Sequence, residues 1–141
     1  MLNKFKLFGV VAMLAATTLM LASCQKTEDK LVGKWKITKA PSQADDDEGE
    51  QWTFKENGKC SIYSYGSDID GTWTVSDDNL VIEMEPVEGD GYKVTGTLDL
   101  TIDELTKEEL AVSGSFTQKY KDDYGNSDSQ KLKANYEFTR K

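Results

Sequence analysis

From Leu31 to the C-terminus the chain alternates apolar and polar residues with a period of two, in short runs separated by turn-forming clusters. That periodicity restricts it to antiparallel sheet. Eight runs follow one another: Gly33 to Lys39, Gln51 to Lys55, Lys59 to Ser64, Gly71 to Ser76, Leu80 to Glu85, Tyr92 to Ile102, Glu109 to Thr117 and Lys131 to Arg140. Glu56-Asn57-Gly58 parts the second run from the third and Asp77-Asp78-Asn79 the fourth from the fifth. Both clusters hold residues that accept the positive φ of tight hairpins, so consecutive strands are expected to pair. Leu105 to Glu109 reads as a further reversal with at most one helical twist.

The alternation also assigns faces. One collects Trp35, Ile37, Trp52, Phe54, Cys60, Ile62, Trp73, Val75, Leu80, Ile82 and Met84, then Val94, Leu98, Leu100, Ile102, Leu110, Val112, Phe116, Leu132, Ala134, Tyr136 and Phe138. The other carries Lys36, Thr53, Lys55, Thr72, Thr74, Glu83, Thr95, Thr97, Asp99, Thr101, Lys133 and Glu137. A sheet apolar on one side and wet on the other is stable when it closes on itself, because closure buries the apolar face and removes the exposed edges. The expected fold is all-β, an eight-stranded antiparallel up-and-down barrel.

Ahead of the barrel lies an export signature: Lys4 and Lys6, an apolar stretch from Leu7 to Ala22, then small residues. The stretch is 16 residues, short of the roughly 20 a spanning helix needs. Leu21-Ala22-Ser23-Cys24 resembles a bacterial lipobox. The resemblance implies cleavage before Cys24, diacylglyceryl on its thiol and membrane attachment by more than one acyl chain. The organisation expected is a lipoprotein signal peptide over residues 1–23, a flexible tether over 24–30 and the barrel domain over 31–141. Gln25 is not the aspartate that retains lipoproteins at an inner membrane, so the expected location is the cell envelope, lipid-anchored at the outer membrane. Gln25 to Asp29 also resembles the lysine-plus-acid tethers of surface-displayed lipoproteins.

Composition narrows the function. Losing Lys4 and Lys6 with the signal leaves 15 basic side chains against 25 acidic, a net charge of −10. Arg140 is the single arginine, so nucleic acid, which needs clustered cations, is not an expected partner. Histidine is absent, which removes Ser-His and Cys-His catalysis and every His-containing zinc site. The carboxylate pair Asp68 and Asp70 sits in a turn with no apolar run beside it to raise one pKa. No enzyme, cofactor or metal is expected. The acidic loops Ser42 to Glu50 and Lys121 to Gln130 lack the spacing that gathers oxygens around calcium and read as solvated. With Cys24 on lipid, Cys60 has no partner for an internal disulfide and reads as a small buried hydrophobe.

The opening Gly33-Lys34-Trp35 has the Gly-x-Trp pattern of a lipocalin first strand. With Asp70 to Val75, Leu80 to Met84, Ile102 to Thr106 and the finish Tyr136 to Arg140, the chain resembles the lipocalin-like domains of small bacterial lipoproteins. The resemblance implies that Trp35 closes the barrel bottom with Arg140 packed across its ring. The Thr-Asp-Tyr motif, the disulfides and the terminal helix of classical lipocalins are missing.

Two functions are expected of such a barrel. In one it encloses a small hydrophobic ligand, lined by Trp52, Phe54, Ile62, Trp73, Ile82 and Met84, with Gly96 and Gly114 opening space or marking bends. In the alternative the barrel is filled, and an accessory protein binds a protein or glycan through outer tyrosines: Tyr63, Tyr65, Tyr92, Tyr120 and Tyr124.

Overall fold

The computed structural model describes residues 26–64 and 66–141. Residues 1–25, Cys24 and the signal among them, and Tyr65 lie outside the described residues. A short helix α1 (Thr27–Leu31) leads into β1 (Gly33–Lys39), and a 3-10 segment (Ser42–Asp47) separates β1 from β2 (Gln51–Phe54). Then come β3 (Lys59–Ser64), β4 (Ser67–Ser76), β5 (Asn79–Met84), β6 (Val87–Gly89), β7 (Tyr92–Leu105), β8 (Glu109–Asp122), β9 (Ser127–Lys133) and β10 (Tyr136–Arg140). Residues 27 to 30, assigned above to the tether, lie in α1.

Every ladder is antiparallel, and the hydrogen bonds run in a circuit from β1 through β2, β3, β4, β5, β7, β8 and β10 back to β1. Eight strands therefore close the sheet, as the alternation requires. The circuit lies wholly within residues 33–140, so the barrel closes without the leader. The hairpin chemistry also appears where the turn residues stand. Gly58 takes φ 79° and Asn57 Oδ1 accepts the Lys59 N–H, while Asp77 takes φ 53°.

One strand, β6, lies outside the eight runs, beyond Glu85, and one run is divided in two. Pro86, which has no N–H to donate, stands between β5 and β6. The last run, Lys131 to Arg140, divides at Ala134 and Asn135. Opposite that break the Ala134 N–H donates to Gly114 O, and Asn135 Oδ1 accepts the Gly114 N–H. Gly114 itself is fixed by contact: a Cβ there would run into the Asp99 carbonyl oxygen. Beyond the breaks, β7 and β8 run on together and carry β6 and β9 on their outer sides. They form a four-stranded overhang at one end of the barrel. Its edges are blunted, β6 by its three residues and β9 by Asp128, Lys131 and Lys133.

Inside, the core-face residues are buried or half-buried throughout, and the three tryptophans carry much of the apolar area. Trp52 packs against Phe54, Tyr136 and Phe138, and Phe54 packs edge-on to Trp73. The Trp73 indole donates to the carbonyls of Lys55 and Lys59, tying the β2–β3 hairpin to β4. Cys60 is 2% exposed, and burial, with Asp70 nearby, pushes its thiol up to about 11. A thiolate is the reactive form. Native protein at pH 8 is therefore expected to react with a disulfide reagent about two orders of magnitude more slowly than urea-unfolded protein, read by absorbance of the released thiol.

The end opposite the overhang is sealed. Arg140 places its guanidinium carbon 4.2 Å from the Trp35 ring centroid. The same group donates from Nη1 to Val32 O, from Nη2 to Lys30 O and from Nε to Lys107 O. Trp35 Nε1 donates to Leu31 O, so α1 is held to the floor from both sides of the pair. Gly33 (φ 134°) leaves the space Arg140 occupies: a Cβ there would lie 2.6 Å from Nη1. Trp35→Ala and Arg140→Ala are expected to destabilise non-additively, with a coupling of about 0.5–2 kcal/mol in a double-mutant cycle by urea unfolding; additive losses would refute the pairing.

Candidate ligand site at the barrel mouth

The barrel narrows to a packed floor and opens at the overhang. Five of the six residues expected to line a cavity, Trp52, Phe54, Ile62, Trp73 and Ile82, are buried in the packed core. Met84, the sixth, stands at the mouth. It lines a hollow of about 240 Å³ together with Ile69, Val87, Val94, Gly96 and Phe116, rimmed by Ser64, Ser67, Glu85, Tyr92, Thr95 and Gln118. Strand phase brings these apolar side chains together: Met84 ends β5, while Val94 and Phe116 stand on the inward face of β7 and β8. Gly96 keeps the hollow open, since a Cβ there would meet Phe116 Cε2 at 2.8 Å and Met84 Sδ at 3.3 Å.

A second hollow, of about 260 Å³, shares Ser64 and Phe116 with the first. Its wall is different in kind. The 3-10 segment contributes Gln43, Ala44, Asp46 and Asp47, β3 contributes Tyr63, and the β9–β10 break brings Leu132, Lys133 and Tyr136. Gln43 anchors the segment by donating from Nε2 to Lys133 O. Tyr63 is half-buried and packs against the core. Desolvation first, then Glu50, Asp47, Asp68 and Asp46, raise its phenol above the usual range. Phe116 thus stands between an apolar hollow and an acidic, aromatic one.

Asp47 is the one buried charged residue among those described, 8% exposed, with no hydrogen bond or ion pair on its carboxylate. Burial raises its pKa, and the neighbouring Asp46 and Glu50 raise it further. The sign follows from linkage. An acid held above its unfolded pKa destabilises the native state as pH rises through the carboxylate range, and costs nothing below it. Asp47→Asn is therefore expected to raise the melting temperature by about 2–4 °C at pH 7, with the gain vanishing as pH falls through the ordinary carboxylate range, by calorimetry across pH.

Of the tyrosines expected on the outer surface, Tyr92 and Tyr120 stack with ring centroids 6.1 Å apart on the face of the overhang that Val94 shares, with Tyr92 on the rim of the first hollow, and Tyr124 is 90% exposed at the β8–β9 turn. The expected core-face alternation contains Val94, Phe116 and Tyr136, while the loop residues Asp46 and Asp47 entered it only as part of a solvated acidic loop. The pair expected for barrel closure, Trp35 and Arg140, is in contact.

A family model described as lipocalin-like matches residues 27–127, from the start of α1 to the first residue of β9. Comparisons with curated proteins and with solved structures return no match. The match spans most of the chain, and β10, beyond it, completes the eight-strand circuit by pairing with both β1 and β8. The chain belongs to the lipocalin-like family.

Proposed function

We propose that this is a lipid-anchored protein of the bacterial cell envelope that binds a small, largely apolar ligand at the mouth of its barrel. The observation that carries the proposal is the asymmetry of the two ends. The floor is filled by Trp35 and Arg140, whereas the mouth holds two adjoining hollows of about 240 and 260 Å³. Burying apolar ligand surface contributes roughly 25 cal/mol per Å², and Met84 and Phe116 are side chains that can adjust to fit.

Anchorage would set the direction in which the mouth points. The chain enters the barrel at its sealed end, where Lys30 and Val32 bind Arg140. Lipid on Cys24 would hold that end toward the membrane and turn the mouth away from it. The Leu21-Ala22-Ser23-Cys24 motif and Gln25 favour the outer membrane. Cys24→Ser is expected to release the protein from the membrane fraction on cell fractionation; retention would refute lipid anchorage.

A second role fits the same end. The stacked pair Tyr92 and Tyr120, with Val87 beside them, leaves exposed aromatic and apolar area on the overhang, suited to a protein or glycan partner. Filling the mouth separates the two. Gly96→Leu would push into Phe116 and Met84 and is expected to weaken binding of a neutral apolar naphthylamine dye by at least about tenfold, while Tyr120→Ala leaves it within about twofold. Unchanged dye affinity in a folded Gly96→Leu protein, checked by circular dichroism, would refute the mouth as the ligand site.

A further inference from the structure

The apolar hollow does not explain the acidic one. Asp47 is more than nine-tenths buried and lines the hollow, yet its carboxylate accepts no hydrogen bond and joins no ion pair among the described residues. Partial desolvation of an unpaired carboxylate is unfavourable, and the neighbouring Asp46 and Glu50 add to it. Lys133 lines the same hollow without coming within 4.0 Å of either carboxylate. What would relieve Asp47 is a cation arriving from outside the chain.

The wall narrows the kind of cation. Tyr63 and Tyr136 stand in it with the carboxylates, and the Trp52 ring lies behind, 4.8 Å from that of Tyr136. Aromatic rings favour an organic ammonium, by the attraction of a cation to a π-face and by contact with the carbons next to nitrogen. A divalent metal ion would want three or more oxygen, sulfur or nitrogen ligands. No such group of acidic, histidine or cysteine side chains converges among the described residues. Beyond Phe116, which both hollows share, the wall turns apolar at Met84 and Val94.

We propose that the mouth takes an amphipathic amine, its ammonium held by Asp47 and Asp46 between Tyr63 and Tyr136, and its apolar body passing Phe116 into the hollow beside Met84. This rests on the mouth being the ligand site and names the class of ligand. Asp47 is the residue that selects charge. Met84, Val94 and Phe116 receive the apolar part whatever its head group.

The test uses three probes with the same chain and different heads: decylammonium, decanol and decanoate. Residues 26–141, which contain the whole closed circuit, are loaded with the neutral naphthylamine dye, and displacement is followed by fluorescence at pH 7. Decylammonium is expected to displace the dye at a concentration about tenfold lower than decanol, and decanoate to be the weakest of the three. Asp47→Asn, expected to fold at least as stably as the native chain, should abolish the preference for the amine and leave decanol unchanged. Equal potency of decylammonium and decanol overturns the amine while leaving an apolar mouth. Equal weakening of all three by Asp47→Asn overturns the charge-selecting role. Failure of all three to displace the dye, or failure of the dye to bind, overturns the amine and the mouth together.

Discussion

A closed sheet must be completed by its first and last strands, and here that junction is secured by one side chain. Arg140 lies across Trp35 and donates to three carbonyls contributed by α1, by the residue between α1 and β1 and by the β7–β8 turn. The planar donors of the group point outward while its face covers the indole. One guanidinium therefore fills the floor, binds the entering chain and joins the last strand to the first. Lysine in its place would keep the charge but not the plane or the fork, and no disulfide stands in reserve, since the one cysteine among the described residues is buried and unpaired.

Sealing one end has a consequence at the other. Strands of unequal length cannot finish level: β2 has four residues and β7 and β8 have fourteen each. With the bottom ends brought together around Trp35, the excess length of β7 and β8 must project at the mouth. β6 and β9 pair with that excess and satisfy the hydrogen bonds it would otherwise leave open. The overhang and the hollow beneath it are thus products of the closure at the floor.

Most of the fold was legible in period-two alternation, because a half-buried strand imposes that pattern directly and the turn residues mark its ends. Strand β6 and the divided last run were less legible for different reasons. β6 has three residues, too few to show alternation, whereas the break at Ala134 and Asn135 depends on Gly114 of a strand twenty residues away, a tertiary contact with no local signature. The lining of the site misled for a related reason. Alternation says which side chains point inward but not at what height, and Trp52, Phe54, Ile62, Trp73 and Ile82 sit below the level at which the barrel stops being full. Met84 sits above it.

Height was nevertheless partly recoverable from connectivity. In an up-and-down barrel every second loop lies at the same end, so the acidic segment after β1, the β3–β4 turn and the break between β5 and β7 must share the mouth. That places Asp46, Asp47 and Tyr63 at one end of the barrel before any coordinates are known. What no pattern discloses is that the 3-10 segment folds Asp47 inward, where its carboxylate is partly desolvated and has no protein donor. A loop read from composition alone is solvated by default, and the energetic penalty of burying one of its acids appears only when its neighbours are in place. A residue that weakens the empty protein in this way is stabilised by whatever supplies the opposite charge, because binding to the native state alone adds its free energy to folding. In the proposed amine complex, the cost at Asp47 and the preference for a cation would be two aspects of one electrostatic arrangement: the more fully the carboxylate is desolvated, the more strongly it distinguishes an ammonium from a neutral head group.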